Sequence, residues 1–203
     1  MLKIIAHRVL FNGIENNIKA IPCFKKLDIG IELDLRYNKN GAYISHDKTD
    51  QGILFEEACK ISLNSNILMA LHIKEIDVVK DAIRLLEKYS LNNYFMFNTE
   101  NYDLSKIINK DNIASYVSQK QNKINADILW CDEINEKWYS KELISELHEK
   151  NKIIYSMSLE VVTSCNESEM INEWKRLLKI GIDGICTKYP MKLNLLLKEG
   201  VLY

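Results

Sequence analysis

The chain has 203 residues, of which 47% are hydrophobic and 27% are charged, and its 27 basic and 28 acidic side chains leave a formal net charge of −1. A chain of this length buries roughly 70% of the surface that its unfolded form exposes, so we expect a single domain over residues 1–203. Balanced charge argues against a broad nucleic-acid-binding surface, and no apolar run reaches the roughly 18 to 20 residues of a membrane span. We therefore expect a cytoplasmic protein without a nucleic-acid partner or a membrane span.

Short β-branched or aromatic segments recur along the chain, with apolar residues at helical spacing between them. The eight predicted strands are residues 2–6, 29–37, 67–73, 94–97, 113–117, 127–131, 152–158 and 184–187. Residues 78–86, 143–147 and 170–178 are typical of the crossover helices that join parallel strands. Eight strand-then-helix units in about 200 residues predict an α/β fold of the (β/α)₈ TIM-barrel type. An open doubly wound sheet is the alternative.

A turn signal and a further strand follow the second predicted strand. Residues 29–37 lead through Asn38-Lys39-Asn40-Gly41 into residues 42–45, which predicts a β-hairpin. Its second arm would return His46 and Asp47 to the carboxyl end of the barrel, where barrel enzymes keep their active sites.

Two carboxylates share one face of the second predicted strand. Because side chains alternate along a strand, Glu32 and Asp34 point to one side while the intervening apolar residues point to the other. Two acids in one confined space repel each other unless a cation neutralises them. A divalent metal ion bound by oxygen ligands would do so, whereas a strand face exposed to solvent is the alternative.

The same alternation places Ala70, His72 and Lys74 on one face of the third predicted strand. Polar residues also stand at the ends of other predicted strands: His7, Arg8, Trp130, Asp132, Ser158 and Glu160. Each has an ordinary structural alternative, such as a hydrogen-bonded core histidine for His72 or barrel packing for Trp130. The functional prediction therefore depends on the whole set and its order.

That order carries a family resemblance. The residues are His7-Arg8, Glu15-Asn16 at the predicted start of the first helix, Glu32-x-Asp34, His46-Asp47, Lys74 and residues 181–190. Across nearly the whole chain they resemble the glycerophosphodiester phosphodiesterase family. The resemblance implies a TIM-barrel hydrolase of lipid metabolism that acts on a small-molecule phosphodiester similar to a glycerophosphodiester.

The resemblance also implies roles for individual residues. These are acid/base catalysis for His7 and His46, phosphate binding for Arg8 and Lys74, binding of one divalent cation for Glu32, Asp34 and His72, and support of the site for Glu15 and Asp47. From their place at the end of the sixth predicted strand, we expect Trp130 and Asp132 to support the site as well. The ion implied is Mg²⁺ or Ca²⁺, although an imidazole ligand at His72 favours Mn²⁺ or Zn²⁺.

The chain departs from the family pattern in three places. Val9 follows His-Arg where the family has glycine, His72 replaces a third carboxylate, and residues 48–66 are too few for the subdomain that many relatives insert. These departures leave two other functions open. One is a catalytically degenerate barrel that binds a phosphorylated ligand or partner, and the other is an aldolase-like barrel with a Schiff base on Lys74. Whether the protein is a monomer or a homodimer also stays open.

Overall fold

The computed structural model describes residues 2–99, 103–119, 124–134 and 136–202. Its strands are β1 (Lys3–Ala6), β2 (Gly30–Asn38), β3 (Gly41–Ile44), β4 (Ile53–Leu54), β5 (Met69–Ile73), β6 (Tyr94–Phe97), β7 (Ala114–Val117), β8 (Ile128–Cys131), β9 (Ile153–Met157) and β10 (Gly184–Thr187). Its α-helices are α1 (Ile21–Lys26), α2 (Phe55–Ser62), α3 (Val78–Lys88), α4 (Lys141–Glu149), α5 (Leu159–Val162), α6 (Glu167–Ile180) and α7 (Pro190–Lys198). The fold is α/β.

All eight predicted strands are present, and their bounds differ from the predicted ones by at most two residues. The three predicted helices correspond to α3, α4 and α6. The alternation of strand and helix is therefore confirmed. Strand β4 was not predicted, because two residues are too few to show a period of two.

The chain divides into two compact units, one of which is Ala6–Ile113. In this unit the strand order is β4-β3-β2-β5-β6, with β2, β5 and β6 parallel and β3 and β4 antiparallel to their neighbours. Strand β2 pairs with β3 from Leu35 opposite Ile44 to Asn38 opposite Gly41. Gly41 has a φ of +107°, a conformation that glycine tolerates and other residues rarely adopt. This turn sends β3 back along β2, so that His46 follows the end of β3.

The register between β2 and β5 places the predicted site residues side by side. Asp34 lies opposite His72, and Glu32 lies opposite Ala70. Neighbours in register on parallel strands point to the same side of the sheet, so the acids and the histidine share a face. The alternate residues of β2 are fully buried apolar side chains, and α1 and α3 pack against this strand.

The other unit combines Met1–Ile5 with Ala114–Tyr203. Its strand order is β1-β10-β9-β8-β7, and the last four strands are parallel. Trp130 and Trp174 are its largest fully buried side chains. Throughout the described ranges, the helices are too short or too polar to cross a membrane.

Strand β1 ends at Ala6, as predicted, and His7–Val9 form a 3₁₀ turn directly after it. One expectation about the first loop is wrong. Glu15 and Asn16 do not open the first helix, because Asn16 has a φ of +55°, which a right-handed helix cannot include. A 3₁₀ turn at Ile18–Ala20 precedes α1, which starts with Pro22 in its first turn, where proline is favoured.

The 3₁₀ turn carries two consecutive residues in the left-handed conformation. Arg8 has a φ of +47° and Val9 has a φ of +46°. This conformation costs roughly 1–2 kcal/mol for a residue with a Cβ atom and is a genuine outlier for a β-branched residue. The Val9 side chain is fully buried, so its packing offsets the strain. The position that the family resemblance assigns to glycine is thus one that glycine would occupy without strain.

We predict that Val9→Gly is at least as stable as Val9→Ala, although a glycine variant is usually less stable than an alanine variant at the same position. Both variants lose the buried methyl groups, but only glycine also releases the left-handed strain of roughly 1–2 kcal/mol. Urea denaturation measures the two free energies of unfolding. Val79, which is fully buried in α3, is the matched control, because there glycine should be about 1 kcal/mol less stable than alanine. If the glycine variant were less stable than the alanine variant at both positions, the proposed backbone strain at Val9 would be contradicted.

Candidate active site

Glu32 and Asp34 form the centre of the candidate site. Both lie on β2, and their side chains are each 3% exposed. The backbone N–H of Arg8 donates a 2.8 Å hydrogen bond to Glu32 Oε2, and Arg8 Nε lies 3.1 Å from Asp34 Oδ2. The left-handed turn therefore gives each acid one part of the same arginine, the backbone to Glu32 and the guanidinium to Asp34.

Strand β5 contributes two further partners for Asp34. His72 Nδ1 lies 2.9 Å from Asp34 Oδ1, and Lys74 Nζ lies 3.8 Å from the same oxygen. The His72 ring stacks on Phe97 with ring centroids 4.7 Å apart, and its Nε2 atom is 3.4 Å from Thr99 Oγ1. Stacking and the in-register pairing with Asp34 together fix the orientation of the imidazole.

The first loop adds a histidine and an acid to the cluster. His7 Nε2 is 3.9 Å from Glu32 Oε2, and the His7 side chain is largely buried. Arg8 Nη1 lies 3.2 and 3.3 Å from the two carboxylate oxygens of Glu15. Glu15 thus holds the outer end of Arg8 while Asp34 holds the inner end, which confines the guanidinium between two carboxylates.

His46 lies beyond the end of β3 and is more exposed than His7, the other histidine predicted to act in acid/base catalysis. Its side chain is 44% exposed, and its Nδ1 atom is 2.9 Å from Asp47 Oδ1, on a side chain that is 90% exposed. The charge of His46 contributes to lowering the pKa of His72, after the larger effect of burial. His46 is therefore electrostatically coupled to the cluster.

The two acids of the site have opposite pKa shifts. Burial raises the pKa of Glu32 well above its usual value, the charge of Asp34 adds to this, and the contacts with Arg8 and Lys74 only partly oppose it. Burial also acts to raise the pKa of Asp34, but the hydrogen bond and charge of His72 together with the charges of Lys74 and Arg8 outweigh it and lower the pKa to about 2. Burial lowers the pKa of His72 despite its bond to Asp34, which favours the neutral imidazole.

Three of these side chains fit a divalent metal ion. Glu32, Asp34 and His72 each offer one ligand atom, and these atoms lie within 4.8 Å of one another. Asp34 Oδ2 and Arg8 Nε are buried and in ionic contact, yet neither makes a hydrogen bond. An unsatisfied carboxylate oxygen beside a second buried acid is a setting in which a cation is stabilising. Two carboxylates and one neutral imidazole are ligands that suit a divalent ion.

Trp130 and Asp132 belong to the other unit, and their contribution to the site stays a prediction. Trp130 is buried in the core of that unit. Asp132 is also buried, accepts a hydrogen bond from the hydroxyl of Tyr116, and has a pKa that burial raises. A cavity of about 230 Å³ adjoins it and is lined by Tyr116, Ser118, Gln119, Asp132, Ile134, Glu136 and Trp138.

One residue in contact with the predicted site was missed from the sequence. Arg36 continues the spacing of Glu32 and Asp34 along β2, so the alternation that paired the acids also places Arg36 on their face. Its guanidinium donates two hydrogen bonds to the backbone carbonyl of His46. The alternation of side chains along β2 was therefore enough to predict the face on which Arg36 lies, but it could not predict that Arg36 binds the carbonyl of His46.

The fold and the site together define an α/β protein with a candidate metal-binding centre that lies beside the cations Arg8 and Lys74. No family model and no curated protein matches the chain, whereas solved structures match it over nearly its whole length. A protein from Galdieria sulphuraria that is assigned as a glycerophosphodiester phosphodiesterase has a TM-score of 0.75 and 18% identity, and the match covers 98% of both chains.

Two further solved structures agree with this likeness. The glycerophosphodiester phosphodiesterases from Thermotoga maritima and Agrobacterium tumefaciens have TM-scores of 0.66 and 0.68, with 15% and 16% identity. These matches cover 96% of this chain and 98% and 100% of the other two. The chain therefore has the fold of the glycerophosphodiester phosphodiesterases.

We predict that the isosteric changes Glu32→Gln and Asp34→Asn have opposite effects on the stability of the metal-free protein at pH 7. The raised pKa of Glu32 means that folding disfavours its ionised form, so a cost develops as the pH rises above 4.5, and Glu32→Gln removes it. The pKa of Asp34 falls from 3.8 to about 2. Ionised Asp34 therefore contributes about 2 kcal/mol above pH 3.8, which is lost as the pH falls toward 2 and is absent in Asp34→Asn.

Urea denaturation in a chelating buffer between pH 3 and pH 7 measures these effects. Glu32→Gln should raise the free energy of unfolding at pH 7, and Asp34→Asn should lower it by about 2 kcal/mol. Glu146, an exposed acid on α4, is the control, because Glu146→Gln should change stability by less than about 0.5 kcal/mol. Changes of the same sign for the two buried acids would contradict the assigned electrostatics.

Proposed function

We propose that the chain is a metal-dependent phosphodiesterase that hydrolyses a glycerophosphodiester-like small molecule by a two-histidine acid/base mechanism. The observation that carries the proposal is a cluster in which the candidate metal ligands Glu32, Asp34 and His72 lie beside the cations Arg8 and Lys74. The fold of the glycerophosphodiester phosphodiesterases supports it.

Arg8 and Lys74 bind the phosphoryl group in this proposal. Both cations are in contact with Asp34, and Glu15 holds Arg8 from the outer side. Donors fixed in this way need no reorganisation when negative charge grows on the phosphoryl oxygens, which makes them effective in stabilising a transition state. The guanidinium can also make two parallel hydrogen bonds to a phosphate.

Glu32, Asp34 and His72 would hold one divalent cation. When bound, this ion polarises a phosphoryl oxygen as a Lewis acid. Mg²⁺ or Ca²⁺ is the ion that the family likeness favours, whereas the imidazole of His72 favours Mn²⁺ or Zn²⁺. We propose Mn²⁺ or Zn²⁺ for this chain, because Asp34 and Phe97 hold the imidazole of His72 in place as a ligand.

His7 and His46 move the protons. One takes a proton from the nucleophile, which is water or a hydroxyl of the substrate, and the other gives a proton to the alkoxide leaving group. Each such transfer contributes about 10²–10⁴-fold. If His46 donates its Nδ1–H to Asp47, its Nε2 atom carries the lone pair that accepts a proton. His7 is held near the site by the 3₁₀ turn and lies beside Glu32.

A second candidate function rests on the same cluster. Arg8, His72 and Lys74 already surround Asp34, which favours a catalytically degenerate barrel that binds a phosphorylated ligand or partner without a metal. Titration calorimetry separates the two functions. Specific binding of a divalent ion supports the enzyme, and binding of a phosphorylated ligand without an ion supports the degenerate barrel.

The remaining features of the proposal concern the whole chain. We propose that residues 1–203 form one domain with a closed (β/α)₈ barrel and that Trp130 and Asp132 support the site within it. We further propose that the protein acts in the cytoplasm in lipid metabolism, as a monomer or a homodimer and without a nucleic-acid partner.

We predict that His7→Asn and His46→Asn each reduce phosphodiester hydrolysis by about 10²–10⁴-fold, because each removes one proton-transfer step. The assay follows glycerophosphodiesters and an aryl phosphodiester in the presence of Mg²⁺, Ca²⁺, Mn²⁺ or Zn²⁺. His148→Asn is the matched control. His148 lies on α4 and pairs with Asp183 at 3.0 Å, so its variant should retain full activity. Turnover that survives both catalytic substitutions would refute the mechanism.

We predict that His72→Glu changes the ion preference of the site. The native donor set should bind Mn²⁺ or Zn²⁺ more tightly than Mg²⁺ or Ca²⁺, and a carboxylate in place of the imidazole should narrow this preference by about tenfold or more, because harder oxygen ligands suit the harder ions. Titration calorimetry with each ion measures the change without reference to activity. His148→Glu controls for the added charge, and an unchanged preference in His72→Glu would show that His72 is not a ligand.

A further inference from the structure

Arg36 holds the backbone at His46. It lies on β2 on the same face as Glu32 and Asp34. Its Nε and Nη2 atoms donate hydrogen bonds of 2.9 and 2.7 Å to the carbonyl oxygen of His46. Two charge-assisted hydrogen bonds from one planar group to one oxygen fix both the distance and the direction of that carbonyl.

Glu75 in turn holds Arg36. Its Oε1 atom lies 3.8 Å from Arg36 Nη1 and accepts a 3.0 Å hydrogen bond from the backbone N–H of Tyr37. Lys48 Nζ lies 3.6 Å from the other carboxylate oxygen. The Arg36 side chain is only 13% exposed, so this contact is less screened than an ion pair on the open surface.

The position of His46 makes such a restraint necessary. Strand β3 ends at Ile44, and the N–H of Ser45 still bonds to the carbonyl of Asp34 at 3.1 Å. His46 is the next residue, its ring is half-exposed, and the Asp47 carboxylate that pairs with the ring is almost fully exposed. An exposed pair of this kind restrains a side chain weakly, whereas the two hydrogen bonds from Arg36 hold the backbone of His46 directly.

We propose that Arg36 and Glu75 are positioning residues that hold His46 in place for proton transfer. This inference rests on the proposed function, because it assigns catalysis to His46. Strand β2 then carries two of the three donors of the metal site, Glu32 and Asp34, and also the residue that orients a catalytic histidine. A displacement of about 1 Å at a catalytic group can cost about 10²-fold in rate, so losing the two hydrogen bonds should act mainly on kcat.

The central experiment is a double-mutant cycle between Arg36→Met and His46→Asn. Arg36→Met keeps most of the side-chain length and removes the donors, and it should reduce kcat by about 10–100-fold while KM changes by less than about threefold. In the His46→Asn background the same change should reduce kcat by less than about twofold, because residues that act through one group are not additive. An equal loss in both backgrounds would overturn the proposal.

Conservative and control variants separate positioning from folding. Arg36→Lys keeps one donor and should recover part of the lost kcat, and Glu75→Gln should give a smaller loss of the same kind. Arg84→Met removes an exposed arginine that pairs with Asp81 on α3 and should leave kcat unchanged. Calorimetric affinity for Mn²⁺ should stay within about threefold in Arg36→Met, since Glu32, Asp34 and His72 are intact. A parallel loss of Mn²⁺ affinity would show a general disturbance of the site and overturn the proposal.

A readout independent of activity decides the case in which hydrolysis is absent. The protein has four histidines, so their imidazole resonances can be assigned from the four single His→Asn spectra. Arg36→Met should broaden or split the His46 resonance and leave that of His148 unchanged. Absence of hydrolysis in the native protein would refute the proposed function alone, whereas an unchanged His46 resonance in Arg36→Met would overturn the positioning role.

Discussion

The burial of two carboxylates on one face of β2 is the constraint on which the site depends. Glu32 and Asp34 are almost fully buried and repel each other. The neighbouring groups are unevenly shared, because Asp34 contacts the cations Arg8 and Lys74 and the imidazole of His72, while Glu32 receives the backbone N–H of Arg8. One carboxylate is therefore held ionised and the other is left without full compensation, and their pKa values separate in opposite directions. Such separation is characteristic of functional sites.

The strained first loop is a consequence of this constraint. To reach both acids, Arg8 presents its backbone N–H to Glu32 and its side chain toward Asp34, and it does so with a positive φ. Val9 follows in the same conformation and compensates through full burial. Strain of this kind persists where the surrounding structure over-determines the backbone. In the metal-free protein, the burial of Glu32 and its repulsion by Asp34 reduce the stability of the fold, and binding of a cation would relieve this cost.

The sequence predicted the parts of this arrangement that follow from local periodicity. The alternation of side chains was enough to put Glu32 with Asp34 and His72 with Lys74, and the parallel register then set Asp34 beside His72. The left-handed turn at Arg8, the place of Glu15 outside a helix and the partner of Arg36 were beyond prediction. Each depends on contacts between residues that are distant along the chain or on backbone conformations that packing imposes, and neither leaves a periodic signal.

A single strand thus sets both the charge and the geometry of the candidate site. Glu32 and Asp34 supply its negative charge, and Arg36, one step further on the same face, holds the carbonyl of His46. A slip of one residue in the pairing of β2 would move all three side chains to the apolar face at once. The fully buried apolar residues that alternate with them oppose that slip, because it would expose their side chains to the polar face. The hydrophobic packing of β2 therefore also fixes which face of the strand its charged residues occupy.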